Sequence, residues 1–489
     1  MKLSELASHI PGSRMRGSGD AEVGRAVHDS RQVRAGDLFV ALPGTKVDGH
    51  RFVAAAFEAG AAAAIVEREA GVPDGRPLLV VPASREALGL AANVLAGDPT
   101  RRLLVIGVTG TSGKTTTTYV LRSILERAGR RTGLIGTISY VVGGREAPST
   151  MTTPDSSDLA PYFAQMVAEG CTACVMEVSS HALHQRRTAG IRFGVAVFTN
   201  LSSEHRDYHP TMKEYRAAKG LLFAGLEPDA WAVLNRDDRA SKSFARGKGA
   251  RDLWYGLAKK ADVMAEDIQL SLSDSRFTLV APRGRVRVRT HLLGRHNVMN
   301  CLAAAAAAET LGVPLEAVAA GIEDLGAVRG RLEAVPSDKP FKVLVDYAHK
   351  TEALRNALST VADLLAADAR LIVVFGCGGD RDRQKRPKMA AVAEALADRI
   401  IVTNDNPRSE KPEDIAAQIQ KGFLSRRKVT VQLDRRKAIA LAVSMARPGD
   451  AIVIAGKGHE DYQILGPTKR HFDDREVAAE ILAGFSPTR

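Results

Sequence analysis

The residues best suited to chemistry lie in LLVIGVTGTSGKTTTT, Leu103 to Thr118, where an apolar, β-branched run breaks into a glycine-rich loop followed by Lys114 and four threonines. The pattern predicts a buried strand, a turn and a helix N-terminus, the arrangement in which backbone N–H groups and the helix dipole face an anion. Gly110, Thr111, Ser112 and Gly113 would cradle phosphates and Lys114 would place a point charge on the β- and γ-phosphates. Thr115, with Thr116 beside it, would offer a hydroxyl to Mg²⁺. The usual P-loop carries glycine where this chain has Val108, so the loop is a variant flanked by Gly107 and Gly110. The competing interpretation is a glycine-rich turn with a solvated lysine, for which GKTTTT directly after a buried strand is a demanding coincidence.

A second constellation is MEVSSHALHQRR, Met176 to Arg187, which sets Glu177 at the end of a buried strand. A carboxylate there, on the same sheet as the P-loop, is placed to take Mg²⁺ or its water. In FTNLSSEHRDYH, His205, Asp207 and His209 follow another strand end. A lone histidine is more often a satisfied structural residue, but such a cluster in a P-loop domain favours a site. Lys219, in YRAAKGLLF, reads by itself as part of a solvated helix face. Cys171 and Cys174 head the apolar run CTACVMEV without a second pair, so two buried thiols on a strand are expected rather than a metal or redox site.

These groups need elements to hold them. From LLVIGV through RTGLIGT, ACVMEV and VAVFTNL to WAVLN, strands alternate with helices, one of them over Asp158 to Gly170, which predicts a parallel sheet covered on both faces. The first hundred residues read as a smaller α/β unit with a helix over Arg51 to Ala63, a strand over Ala64 to Val66 and a helix over Ser84 to Leu95. After residue 331, KVLVDYA, RLIVVFG, DRIIVTNDNP, VTVQLD and AIVIAGKG alternate with helices, and strands end at polar, Gly-rich loops where doubly wound sheets bind ligands. A length of 489 residues suits three domains, with expected bounds 1–100, 101–330 and 331–489.

Composition narrows the function classes. Hydrophobic content of 45% with 25% charged residues describes an ordinary soluble protein, and the longest apolar run, Cys301 to Ala308, is far short of the roughly 20 residues of a membrane span. MKLSELASHIPGSR has no apolar signal-peptide core, so a cytoplasmic location without a membrane partner is expected. The net charge of +12 suggests nucleic acid first, yet basic residues are dispersed, aromatics are 5% and no nucleic-acid motif appears. Small anionic substrates account equally well for the excess.

The segments GVTGTSGKTTTT, TMTTPDS, MEVSSHALHQRR, TNLSSEHRDYH, YRAAK, GRHNVMN, VDYAH, GCGGDRDRQKRP, DNPR and GKGHEDYQ, in that order, resemble the Mur ligases of peptidoglycan synthesis over essentially the whole chain. The likeness is strongest to members that add the third amino acid of the peptide. It implies an α/β protein of three domains: a UDP-binding N-terminal domain, a central P-loop ATPase domain with a mostly parallel sheet, and a Rossmann-like C-terminal domain for the amino acid. It also implies ATP as co-substrate, Mg²⁺ as cofactor and amide formation through an acyl phosphate, by a monomer. Carried over by position, Ser30 and the loop Thr45, Lys46, Val47 would touch the uridine nucleotide. Thr152, Thr153, Ser179, Gln185 and Arg187 would hold the muramoyl dipeptide, while Asn297, Arg331 and Asp346 would contact ATP. Thr115, Glu177 and His205 would ligate magnesium, and Lys219 matches the family's carbamylated lysine, so Lys114, Glu177, His205 and Lys219 form the expected catalytic set.

The amino acid would meet Arg381, Asp405, Asn406, Pro407, Arg408, Gly456 and Glu460. Arg408 and Arg381 can fork onto a second carboxylate, which meso-diaminopimelate has and L-lysine lacks, and Glu460 would pair with the ammonium at the same centre. Two departures are visible: Glu204 replaces the usual aspartate of the DHLDYH-type motif, and Met151 precedes TTP where a polar residue is usual. The rivals are an L-lysine-adding variant, a folylpolyglutamate synthase-like ligase without the uridine unit and DNPR, and, from another class, a basic P-loop ATPase acting on nucleic acid.

Overall fold

The structure is a computed structural model that describes residues 1–44, 47–69, 71–205, 207–245, 251–257 and 260–485. Thr45 and Lys46 therefore lie outside the described residues. The architecture is mixed α/β with mostly parallel sheets, and the chain forms two compact units. One comprises Met1–Met264, Leu279–Val286 and Asn300–Ile322; the other comprises Ala265–Thr278, Arg287–Met299 and Glu323–Arg489.

The first unit carries a five-stranded sheet in the order Arg14–Arg16, Leu78–Val80, Ala63–Val66, Leu38–Val40, Ala26–Val27. Its strands are parallel except at the Arg14–Arg16 edge. The helix Ser84–Leu95 seals one face with Leu88 and Ala91. The helix expected over Arg51 to Ala63 is only Val53–Glu58, preceded by a 3₁₀ turn Gly49–Phe52. Asp48 starts that turn by accepting from the His50 N–H, and Gly60, at φ +104°, ends the helix so that the chain can re-enter the sheet.

An eight-stranded sheet positions the P-loop, in the order Arg251–Tyr255, Trp231–Asn235, Phe193–Phe198, Leu104–Thr109, Ala173–Glu177, Thr132–Ile135, Ser139–Val142, Arg145–Pro148. The first six run parallel, and the strands Leu104–Thr109, Ala173–Glu177 and Phe193–Phe198 are almost wholly buried, as a sheet covered on both faces requires. The last two strands pair antiparallel, an edge the alternation of strands and helices did not predict. VVGGRE encodes it: Gly143 and Gly144 both adopt positive φ, which a tight hairpin turn demands. A three-stranded sheet, ordered Met264–Leu270, Ser275–Ala281, Gly284–Thr290, was likewise unexpected.

The second unit is built on a six-stranded sheet, ordered Glu333–Ala334, Lys342–Asp346, Ala451–Ala455, Leu371–Phe375, Arg399–Val402, Val429–Val431, parallel except at its first strand. Side-chain alternation divides its core. Val343, Val345, Ile372 and Val374 enter one apolar cluster, while Leu344, Leu371, Val373 and Phe375 enter another. Below the loops that follow Val402 and Ala455, Arg435 forks onto Asp474 at 2.7 Å through both Nε and Nη2, and both side chains are fully buried. The same guanidinium donates to the carbonyls of Asn404 and Ala455. Asp474→Ala leaves a buried cation without its partner, so a loss of about 3–5 kcal/mol of unfolding free energy is expected in urea titration; a loss under about 1 kcal/mol would mean the pair is dispensable. Among the described residues, no helix is long and apolar enough to cross a membrane.

Candidate active site

The predicted strand is observed at Leu104–Thr109 and the predicted helix at Lys114–Arg127, with Gly113 as its N-cap at φ +85°. A Cβ at Gly113 would stand 2.4 Å from Asn300 Oδ1, so both conformation and space require glycine there. The loop is braced by the strand beside it. The Thr111 N–H donates to the Asn200 carbonyl at 2.8 Å, the Ser112 N–H to Asn200 Oδ1 at 2.9 Å, and Thr199 Oγ1 to the Ser112 carbonyl at 2.6 Å. Lys114 Nζ folds back over the loop, 3.0 Å from the carbonyls of both Gly110 and Thr111. Thr115 and Thr116 are buried in the first helical turn.

Glu177 ends the strand paired with the P-loop strand, in register with Val108, and is 1% exposed. Thr137 grips its carboxylate, from the N–H at 2.8 Å and the hydroxyl at 3.1 Å. Thr137 also contacts Thr152 Oγ1 at 3.0 Å, and Thr153 Oγ1 donates to the Glu177 carbonyl at 2.8 Å. Ser179 caps the short helix Ser180–His184 and receives the Thr153 hydroxyl at 3.4 Å. Arg187 donates to the Thr153 carbonyl at 3.1 Å and to Gln185 Oε1 at 2.6 Å, and its Nε lies 3.2 Å from Asp155. The structure thus gathers Glu177, Thr152, Thr153, Ser179, Gln185 and Arg187 around one strand end. Met151 joins them through its sulfur, 3.3 Å from Arg187 Nη1. Leu42 and Arg85 lie beside Asp155, Gln185 and Arg187, so the N-terminal part of this unit meets the same place. Ser30 lies in a 3₁₀ turn, Ser30–Gln32, and Val47 is exposed; among the described residues no hydrogen bond ties either to this group.

Lys219 corrects the expectation of a solvated helix face: it is 1% exposed. Its Nζ donates to the Gly110 carbonyl at 2.7 Å and sits 4.5 Å from the centre of the Tyr215 ring, one helical turn earlier. Burial, reinforced by the charge of Lys114, pushes the ammonium well below its usual pKa and so favours the neutral amine. Tyr215 also meets Thr111 Oγ1 at 3.2 Å, and burial pushes its phenol up to about 12. His205, at φ +55°, packs edge-on against His181 with ring centres 4.8 Å apart and lies 6.0 Å from the Tyr215 ring. His209 is buried against Ser180 Oγ at 3.1 Å, a structural partner rather than an open donor, and Asp207 is exposed. Among the described residues, no three His, Cys, Asp or Glu side chains form a ready metal cluster. Thr137, Tyr215 and His181 were missed in the sequence; the i, i+4 spacing of Tyr215 and Lys219 was the available signal. Cys171 and Cys174 are buried free thiols, as expected.

In the second unit, Asn297 is buried on the helix Arg295–Thr310 and donates to the Leu293 carbonyl at 2.8 Å. Asp346 ends a strand and accepts the N–H groups of Leu332 and Ala348 at 2.7 and 2.8 Å, while burial pushes its carboxyl up to about 6. Arg331 lies over the Tyr347 ring, 5.6 Å from its centre. The Gly456 N–H donates to the Asp346 carbonyl, which links this strand end to the GKGHE loop. There Glu460 Oε2 accepts from Asn406 Nδ2 at 2.9 Å and lies 3.5 Å from Lys457 Nζ; burial and the neighbouring Asp405 raise its pKa. A Cβ at Gly456 would stand 3.1 Å from Asp405 Oδ2. Pro407 is buried, and Arg408, at φ +53°, donates from Nη1 to the Gly379 carbonyl at 2.9 Å. The hairpin Tyr462–Leu465 and Thr468–His471 clamps this loop: the Arg408 N–H donates to Ile464 and the Gly466 N–H to Arg408. Arg381, on the facing loop, is exposed.

Three family models match the chain. They are described as Mur ligase middle domain over residues 108–308, Mur ligase, glutamate ligase domain over 330–458, and Mur ligase family, catalytic domain over 26–94. A relative from Geobacillus kaustophilus named UDP-N-acetylmuramoyl-L-alanyl-D-glutamate--2,6-diaminopimelate ligase is 47% identical over 486 residues, 98% of each chain. One of the same name from Bacillus velezensis is 43% identical over 489 residues, 99% of each chain. A solved structure of a ligase with that name covers 99% of each chain at 32% identity and a TM-score of 0.75. A solved folylpolyglutamate synthase from Mycobacterium tuberculosis, 21% identical with a TM-score of 0.63, covers 83% of this chain and 96% of its own, and shares the fold. With a glycine-rich strand-to-helix loop braced beside Glu177 and a buried lysine, and with relatives matching from end to end, the chain belongs to the Mur ligase family.

Proposed function

We propose that the protein is an ATP-dependent ligase that joins meso-2,6-diaminopimelate to UDP-N-acetylmuramoyl-L-alanyl-D-glutamate during peptidoglycan precursor synthesis. The amino-acid choice is carried by Arg408, locked in DNPR with its guanidinium on the Gly379 carbonyl and with Asn406 and Glu460 hydrogen-bonded beside it. The relatives at 43–47% identity carry that name over the full chain length, which supports the same assignment. Residues 1–100 are the expected UDP-binding part, with Ser30, Thr45, Lys46 and Val47 at the uridine; 101–330 the ATPase part; and 331–489 the amino-acid part.

A carboxylate is a poor acyl donor, so the dipeptide must first take a phosphoryl group from ATP before an amine can displace phosphate. Gly110 to Thr116 position the triphosphate, and Lys114 offsets charge on the transferring group. Asn297, Arg331 and Asp346 are assigned to the nucleotide. Thr152, Thr153, Ser179, Gln185 and Arg187 orient the dipeptide next to Glu177. When bound, magnesium would neutralise the phosphoryl oxygens, held by Thr115, Glu177, His205 and a carbamate on Lys219. The donor set fits that cation: Glu177 and His205 supply oxygen and nitrogen, and burial lowers the pKa of Lys219 toward the amine form that takes up carbon dioxide to become an oxygen anion.

In the amino-acid part, a guanidinium fork on the distal carboxylate is worth about 1.5–3 kcal/mol, and an arginine left unpaired by lysine adds to the discrimination. Arg408→Ala is therefore expected to raise the KM for meso-diaminopimelate by more than about tenfold, to leave the KM for ATP nearly unchanged and to narrow the gap to L-lysine. Steady-state phosphate release with each amino acid measures this. An unchanged preference would move the carboxylate contact to Arg381.

A further inference from the structure

We infer that Arg386 and Glu410 form a buried clasp that sets the spacing of Arg381 and Arg408, making them positioning residues for amino-acid selection. The inference rests on the assignment of those two arginines to the amino acid. Arg386 is fully buried, and its guanidinium forks onto Glu410 with Nη1 2.9 Å from Oε2 and Nη2 2.9 Å from Oε1. Nη1 also reaches Gln418 Oε1 at 2.8 Å, and Nη2 the Gly378 carbonyl at 3.1 Å. Glu410 Oε1 in turn accepts the Asp380 N–H at 2.7 Å. One ion pair thus holds the loop Gly376 to Asp382 at two backbone positions and holds the loop Asp405 to Glu410 through the side chain of its last residue.

The two loops are laced together outward from the clasp. The Gly379 N–H donates to the Asn406 carbonyl at 2.9 Å, and Arg408 Nη1 returns to the Gly379 carbonyl. Asp380 accepts the Ser409 hydroxyl at 2.6 Å and the Ser409 N–H at 3.2 Å. The approach is so close that a Cβ on Gly379 would fall 1.8 Å from the Pro407 carbonyl oxygen. Asp380 and Arg408 both hold left-handed backbone, φ +53°, a conformation that surrounding contacts must maintain. Apart from their mutual fork and the bond to Gln418, the hydrogen bonds of Arg386 and Glu410 reach the loop that carries Arg381, while Glu410 itself ends the loop that carries Arg408.

The test compares wild type with Glu410→Gln, which keeps the shape but removes the charged fork, and with Asp380→Asn, which weakens the exposed arm while tolerating positive φ. Steady-state phosphate release is measured with meso-diaminopimelate and with L-lysine at saturating ATP and UDP-muramoyl dipeptide, and thermal unfolding is recorded for each protein. The expected result is a KM for the amino acid raised about tenfold in Glu410→Gln and by roughly threefold in Asp380→Asn, with the other two KM values within about twofold and the preference for meso-diaminopimelate reduced. A folded Glu410→Gln with an unchanged amino-acid KM, or with all three KM values raised alike, overturns the inference. If Glu410→Gln fails to fold, Asp380→Asn decides in the same terms. A wild type that prefers L-lysine would refute the substrate assignment but not the clasp, which then requires the KM for lysine to be the one that moves.

Discussion

Lys114→Ala is expected to abolish ligation, lowering kcat by at least about 10²–10³-fold, while the protein unfolds at the wild-type temperature. The side chain is half-buried at the mouth of a helix N-terminus, and its ammonium lies 3.0 Å from two loop carbonyls, so little core packing is lost with it. What would be lost is a point charge over the loop proposed to hold the phosphates, where a fixed cation acts on developing charge without reorganising. Phosphate release at saturating substrates, together with a melting curve, separates the two effects. A variant that keeps most of the wild-type kcat would remove Lys114 from the chemistry.

Lys219→Ala should lose activity on the same scale, about a hundredfold or more, because a buried lysine whose burial lowers its pKa, and which is proposed to carry the metal-binding carbamate, is replaced by a methyl group. If the working group is a carbamate oxygen, formate or acetate at high concentration should restore part of the rate to Lys219→Ala and none to Lys114→Ala. Lys219→Arg should be both inactive and destabilised, since arginine stays charged at any working pH and this site is closed to water. Rate measurements with and without added carboxylate decide the matter. Full activity in Lys219→Ala would leave the residue as a packing element beside Tyr215.

The inner parallel strands of both large sheets were legible because parallel strands covered on both faces read as continuous apolar runs, and several of them end at a polar loop that carries a candidate residue. Glu177 could be placed beside the P-loop for that reason alone. Lys219 could not: YRAAK has the polarity of an outer helix face, and only the tertiary position of Met212–Ala224, which puts Lys219 against the Gly110 carbonyl, buries it. The Gly143–Gly144 hairpin was written in the sequence but was hidden inside a βα pattern. Thr137 and the Arg386–Glu410 pair were illegible for a different reason. Their partners lie 40 and 24 residues away along the chain, and no local periodicity reports such pairings.

The most direct measurement of the central claim is phosphate release, with mass analysis of the product, from wild-type protein given ATP, UDP-N-acetylmuramoyl-L-alanyl-D-glutamate and either meso-2,6-diaminopimelate or L-lysine. The account predicts release only when nucleotide, dipeptide and amino acid are all present, a product carrying one added diaminopimelate, and a kcat/KM for diaminopimelate above that for lysine by more than about tenfold. Preference for lysine, or phosphate release that ignores the dipeptide and responds instead to nucleic acid, would contradict it.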